Sequence, residues 1–280
     1  MIWELTKIEL RKIALKPRSY LGIIALLVIT SLIQLAMYVD GEEYINLITQ
    51  TFEASFVIEG KILNGSLICF IILQMLIIQM PLLVSLVGGD LISGEAASGT
   101  LRLILTRPAS RIEILLSKYF AGLVYTFILL VLLGIMSLGL GMALHGLGDL
   151  VVLKADGIVI LQSNDVLWRF FGAFGLAFIS LSLVTTLNLM LSCFTNNSIG
   201  PIIGTMSIIF IFTLIGALEV SLFDYVRPFL FTTHMLAWKD IFEDPISPTK
   251  ILTSVSINLL HIGIFLFVSI RHFIYKDIQS

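Results

Sequence analysis

Charge is what this chain has least of. Asp, Glu, Lys and Arg make up 13% of its 280 residues, where a soluble domain carries about 25%. Hydrophobic residues reach 58% and the mean hydropathy is +1.02. A soluble globular domain is therefore excluded, and the chain belongs in a bilayer. There are two cysteines, Cys69 and Cys193. Both lie inside apolar runs, near opposite faces of the membrane in the topology below, which argues against a disulfide, and no metal-ligand spacing exists. The histidines His145, His234, His261 and His272 are scattered, with no pair four apart on one helix. No basic patch with interleaved aromatics is present, so nucleic acid is not an expected partner. No Gly-x-x-x-x-Gly-Lys-Ser/Thr loop is present, so nucleotide binding by this chain is not expected. No catalytic acid, base or metal group clusters, so a polytopic membrane enzyme is disfavoured and neither catalytic residues nor a cofactor are expected. No apolar run has a charge at its centre. An ion-coupled carrier keeps an ionisable group there, so energy is expected to come from outside the membrane domain. A basic segment precedes the first run, and no small-residue cleavage site follows it, so it reads as a retained span.

Six apolar runs are long enough to cross about 30 Å of hydrocarbon: Tyr20–Val39, Ser66–Val87, Ile114–Leu144, Trp168–Phe194, Ile199–Val220 and Ile251–Phe273. The third is long enough to tilt or project. The fourth and fifth, joined by Thr195-Asn196-Asn197-Ser198, form an antiparallel hairpin, with Pro201 where a missing N–H costs little. The expected fold is an all-α integral membrane protein of six transmembrane helices, with 1–280 as a single domain. Orientation follows from basic residues. Eleven lie on the side of both termini and the second connection, against six on the other, so the termini are expected in the cytoplasm. The outer loops are acidic.

Residues 1–17 look helical but too charged to span. Trp3, Thr6, Leu10 and Ile13 share one face, with Glu4, Lys7 and Arg11 on another. An interfacial helix is expected, its apolar face on lipid and its basic side chains near anionic headgroups. The segment 221–250 is too aromatic for a solvated loop and is expected to form short re-entrant or interfacial helices. Within the runs stand Gln34, Gln74, Gln79, Asn188 and Asn258. These amides suit helix–helix hydrogen bonds or the lining of a substrate path. Gly134, Gly139, Gly141 and the Gly200-x-x-x-Gly204 pair suit close helix contact.

Between the second and third runs lies a polar island, Gly88 to Lys118. Asp90 and Glu95 precede Arg102, Arg107 and Arg111. Asp90 or Ser93 can cap a helix that Pro108 ends. Leu101, Ile104 and Leu105 form an apolar patch on it. Such a helix suits docking in a partner's groove and equally suits lying on lipid.

The run Gly94-Glu95-Ala96-Ala97-Ser98-Gly99-Thr100-Leu101, then Pro108-Ala109-Ser110-Arg111 and Lys118, resembles the permease subunits of type-2 ABC exporters. The likeness covers the whole chain: an amphipathic first helix, six spans, this motif between spans two and three, and an aromatic outer segment before span six. The resemblance implies that Leu91 to about Leu105, within 88–111, is a coupling helix seated in a cleft of a separate ATP-binding subunit. Leu91, Glu95, Gly99, Thr100, Leu101, Arg102, Arg107 and Arg111 would serve that contact. It implies two permeases, as copies or paralogues, with two ATPases that bind the ATP, in a prokaryotic cytoplasmic membrane. The function expected is substrate export. The alternative is a non-transporting ABC membrane subunit that conveys motion to an external accessory protein.

Overall fold

In a bilayer, a run of Leu, Ile, Val and Phe can satisfy its backbone polar groups only as a helix or a closed barrel. Helices dominate the computed structural model, which describes residues 1–45, 62–100, 109–154, 157–218 and 220–276. Helix α1 covers Ile2–Leu15 and α2 Pro17–Val39. Helices α3 (Gly65–Leu76), α4 (Met80–Gly88) and α5 (Ser93–Ala97) follow. Then come α6 (Arg111–His145), α7 (Ser163–Phe194) and α8 (Ile199–Ala217). A four-residue helix, α9 (Phe231–His234), and the long α10 (Pro248–Tyr275) complete the order. Helices α2, α6, α7, α8 and α10 are each long and apolar enough to cross a membrane.

The second apolar run is bent rather than straight. Helices α3 and α4 meet at 54°, and together they are long and apolar enough to count as one broken span or a re-entrant loop. Pro81 is the cause, because its ring excludes the carbonyl of the preceding turn and it has no N–H. At about 1.5 Å per residue, α6 is roughly 50 Å long, well beyond the hydrocarbon thickness. It contains a π-helical turn, Ile135–Gly139. Such a turn displaces carbonyls from the regular ladder, and Gln34 Nε2 donates to two of them, Met136 and Ser137, each at 3.2 Å. Close packing follows where side chains vanish. A Cβ on Gly65 would lie 2.6 Å from the backbone of Gly141. A Cβ on Gly139, by contrast, would meet no neighbouring element within 4 Å.

Two expectations change. The stretch after α6 is not a plain loop. Leu150–Lys154 and Gly157–Leu161 form an antiparallel hairpin, Leu150 opposite Leu161. Its β-branched residues, Val151, Val152, Ile158, Val159 and Ile160, favour strands over helix. Helix α1 turns only part of its apolar stripe away from the protein. It packs along α6 with Thr6, Glu9 and Ile13 buried, while Trp3 is 62% exposed.

The aromatic segment before α10 folds into short turns, Ser221–Phe223, Arg227–Phe229 and Ala237–Phe242. Trp238 and Phe242 are buried. The Phe242 ring sits 5.2 Å from Phe70 and 5.1 Å from Phe170. Arg169 of α7 fastens this cluster by donating to the carbonyls of Ile241 (2.9 Å) and Glu243 (2.8 Å).

Candidate functional site

The charged residues that sequence order scatters come together at one end of the bundle. Lys118 lies two turns into α6 and is fully buried. An isolated ammonium there is prohibitive, and two carboxylates meet it. Its Nζ lies 2.9 Å from Glu9 Oε2 and 2.6 Å from Glu95 Oε2. The second contact is an ion pair without hydrogen-bond alignment. Lys12 closes the ring, 2.6 Å from Glu9 Oε1 and 2.8 Å from Glu95 Oε1. Two carboxylates and two ammoniums thus join α1, α5 and α6 in a neutral ring. Removing Lys118 or either carboxylate costs about 3–5 kcal/mol, because a partner then stays charged and buried. Burial works against the charge on Glu9, but Lys118 and Lys12 outweigh it and hold the carboxyl below its ordinary 4.5. Burial likewise opposes the charge on Lys12, yet its bonds to Glu9 and Glu95 raise it above 10.5.

A second knot lies beside the ring. Asp90 meets Lys16 at 2.6 Å and Arg18 at 3.5 Å, and Ser198 Oγ donates to it at 2.6 Å. A Cβ on Gly94 would fall 2.1 Å from Asp90 Oδ1, so only glycine leaves room for that carboxylate. The capping expected of Asp90 or Ser93 is done by another helix. Ser192 Oγ of α7 accepts from the N–H of Ile92 (3.1 Å) and Ser93 (2.8 Å) and donates to Gly89 O (3.1 Å). Ser93 Oγ itself donates to Gly89 O. Between α1 and this segment opens a cavity of about 660 Å³, lined by Glu9, Lys12, Lys16, Arg18, Asp90 and Glu95, with Ser98, Thr100 and Ser198 at its edge.

The continuous helix expected over Leu91–Leu105 is interrupted. It ends at Ala97, and Gly99 takes φ +70°, a left-handed turn that suits glycine at a helix C-terminus. Residues 101–108, with Leu101, Arg102 and Arg107, lie outside the described residues. Leu91 and Glu95 face inward and are buried, whereas Ala97, Ser98, Gly99 and Thr100 are exposed. Arg111 is occupied as a cap, donating to the carbonyls of Phe273 (3.2 Å), Ile274 (2.9 Å) and Lys276 (2.9 Å) at the end of α10. Lys276 in turn donates to Cys193 O at the end of α7.

The amides do not gather. Gln34, Asn188 and Asn258 are buried between helices. Asn188 donates to Ser85 Oγ at 2.8 Å, and Asn258 to His234 O at 3.3 Å. Gln74 and Gln79 are exposed beside the bend between α3 and α4. Sequence reasoning missed Glu9, Lys12, Ser192 and Ser198. One signal was available, since a lone lysine inside an apolar run needs a buried carboxylate partner.

Five apolar helices, a bent pair and charges gathered at one end define a multi-pass helical membrane protein. A family described as "Protein of unknown function (DUF2705)" matches residues 25–279, and the chain belongs to that family. It is also similar to "Uncharacterized protein YhcI" of Bacillus subtilis (strain 168), 26% identical over 201 residues. That match covers 70% of this chain and 63% of the relative's length.

Proposed function

We propose that the chain is the membrane-spanning permease subunit of an ATP-driven ABC exporter in a prokaryotic cytoplasmic membrane. Helices α3 and α4 make one bent span, six in all. The charged end faces the cytoplasm, and the β-hairpin faces outward. A second permease, copy or paralogue, and separate ATP-binding subunits complete the working unit.

The observation that carries the reading is the meeting of two motif residues. Glu95, from the Gly-Glu to Gly-Thr-Leu run, and Lys118, at the head of the next span, are 2.6 Å apart. The exposed Ala97–Thr100 turn is thus held from beneath by a charge ring that also grips α1. A push on that turn is transmitted to two helices at once. This is the arrangement a lever needs: an accessible tip and a rigid, buried root. ATP-driven closure of the partner ATPases supplies the push, and the spans answer by switching access for the substrate.

The test separates tip from root. Ala97→Trp and Thr100→Trp add volume where the chain is exposed. Each variant should keep the parent's thermal stability yet lose association with the co-expressed ATPase by tenfold or more. Full assembly and coupling in both variants would refute the reading.

A further inference from the structure

A groove of about 540 Å³ runs between α1 and the first half of α6. Its walls are Ile2, Trp3 and Thr6 from α1, Phe120 and Phe127 from α6, and Phe178 from α7. Its one side-chain hydroxyl, on Thr6, is spent on the carbonyl of Ile2 at 2.9 Å, so water gains little by entering. Trp3, Phe120 and Phe127 stay 62%, 43% and 53% exposed. Phe127 and Phe178 brace each other edge to face at 5.6 Å. The rim differs in chemistry. Lys7 stands over the Trp3 ring at 5.8 Å, and Arg11 continues the same exposed edge one turn on. Lys7 also meets the exposed Glu4 at 2.9 Å, a surface pair of small worth that leaves its ammonium accessible.

We propose that this groove holds one acyl chain of an anionic phospholipid, with the phosphate resting on Lys7 and Arg11. An apolar floor beside Lys7, with Arg11 one turn further along α1, matches an amphiphile with an anion at one end. The volume is in the range of small-molecule sites, about 300–1,000 Å³. The groove lies on the outward side of a helix long enough to cross the bilayer, where acyl chains are the local solvent. Basic residues at such a boundary favour anionic over zwitterionic headgroups. The bound lipid wedges α1 against α6 beside the charge ring and so adds to the hold on α1. The site requires only that the chain spans a membrane, and it is independent of any ATPase partner.

The test follows thermal unfolding of the purified full chain in detergent, titrated with dioleoyl phosphatidylglycerol, dioleoyl phosphatidylcholine or inorganic phosphate. Phosphatidylglycerol should raise the midpoint at concentrations on the order of tenfold lower than phosphatidylcholine, and inorganic phosphate should leave it unmoved. Lys7→Gln/Arg11→Gln should abolish the difference between the two lipids. Leu123→Trp, which fills the groove, should abolish both responses. As a check that does not depend on that variant folding, a photo-crosslinker at Phe127 should yield an adduct of phospholipid mass. Equal responses to the two lipids, or stabilisation by inorganic phosphate, would overturn the proposal. An adduct with a second copy or another protein would do the same.

Discussion

Lys118 dictates the chemistry around it. An ammonium with no exposed surface is tolerable only when carboxylates meet it, and Glu9 and Glu95 do so from two other helices. The pH behaviour follows from the shifted groups. Glu9 is more acidic in the folded protein than its ordinary 4.5. Its contribution is present above that value and is lost as pH falls through the lower, folded value. Lys12 is raised above 10.5, so its contribution is complete below that value and is lost as pH rises through the higher, folded one. Docking of α1 should therefore be constant between 4.5 and 10.5. A variant that keeps Trp3 as its only tryptophan reports this by fluorescence. The signal should hold flat across that window and change on the acid side, and Glu9→Gln should remove the acid step. A step near neutral pH would contradict the ring. At this scale the sequence set Glu95 and Lys118 within one expected motif. It did not show that they touch, because the distance between them depends on how α5 folds back on α6.

Among the elements, the starts of helices carry local signals that the expected runs, beginning at Tyr20, Ile114 and Ile251, did not use. Pro17 and Pro248 occupy the first positions of α2 and α10, where proline costs nothing. Ser110 and Glu113 form a capping box at the start of α6. The bend at Pro81 and the stop at Gly99 carry local signals that the long apolar and polar patterns around them overrode. The burial of part of α1's stripe was missed for a different reason. Thr6, Leu10 and Ile13 suit lipid and protein equally, and only the buried Glu9 beside them points to protein. Helix α5 depends on a neighbour, since Ser192 supplies the acceptor for its first N–H groups. Ile92 and Ser93 are fully buried, so Ser192→Ala strands two donors at about 1–3 kcal/mol each. Hydrogen exchange at the amides of Ile92 and Ser93 should quicken by at least tenfold, with the β-hairpin unaffected. Unchanged exchange would mean that the segment is held by its ion pairs alone.

For the molecule as a whole, hydropathy sufficed to identify a multi-pass helical protein, since α2, α6, α7, α8 and α10 each coincide with an expected run. The charged end was legible only in part. Its basic residues were counted for orientation, while Glu95 and Asp90 meet Lys12 and Lys16 from more than 70 residues away in sequence. Cavities, such as the one between α1 and the Gly94–Thr100 segment, are products of packing and leave no linear pattern. The proposed function requires the Ala97–Thr100 turn to face the cytoplasm and to be covered there by an ATPase. The most direct measurement is labelling of single cysteines in intact cells with a membrane-impermeant maleimide. The native Cys69 and Cys193 are buried and should stay silent. Ile160→Cys, on the exposed hairpin, should label from outside. Ser98→Cys should label only after the cells are opened, and at least tenfold more slowly when the ATPase is co-expressed. Labelling of Ser98→Cys from outside, or at the same rate with and without the ATPase, would contradict the account.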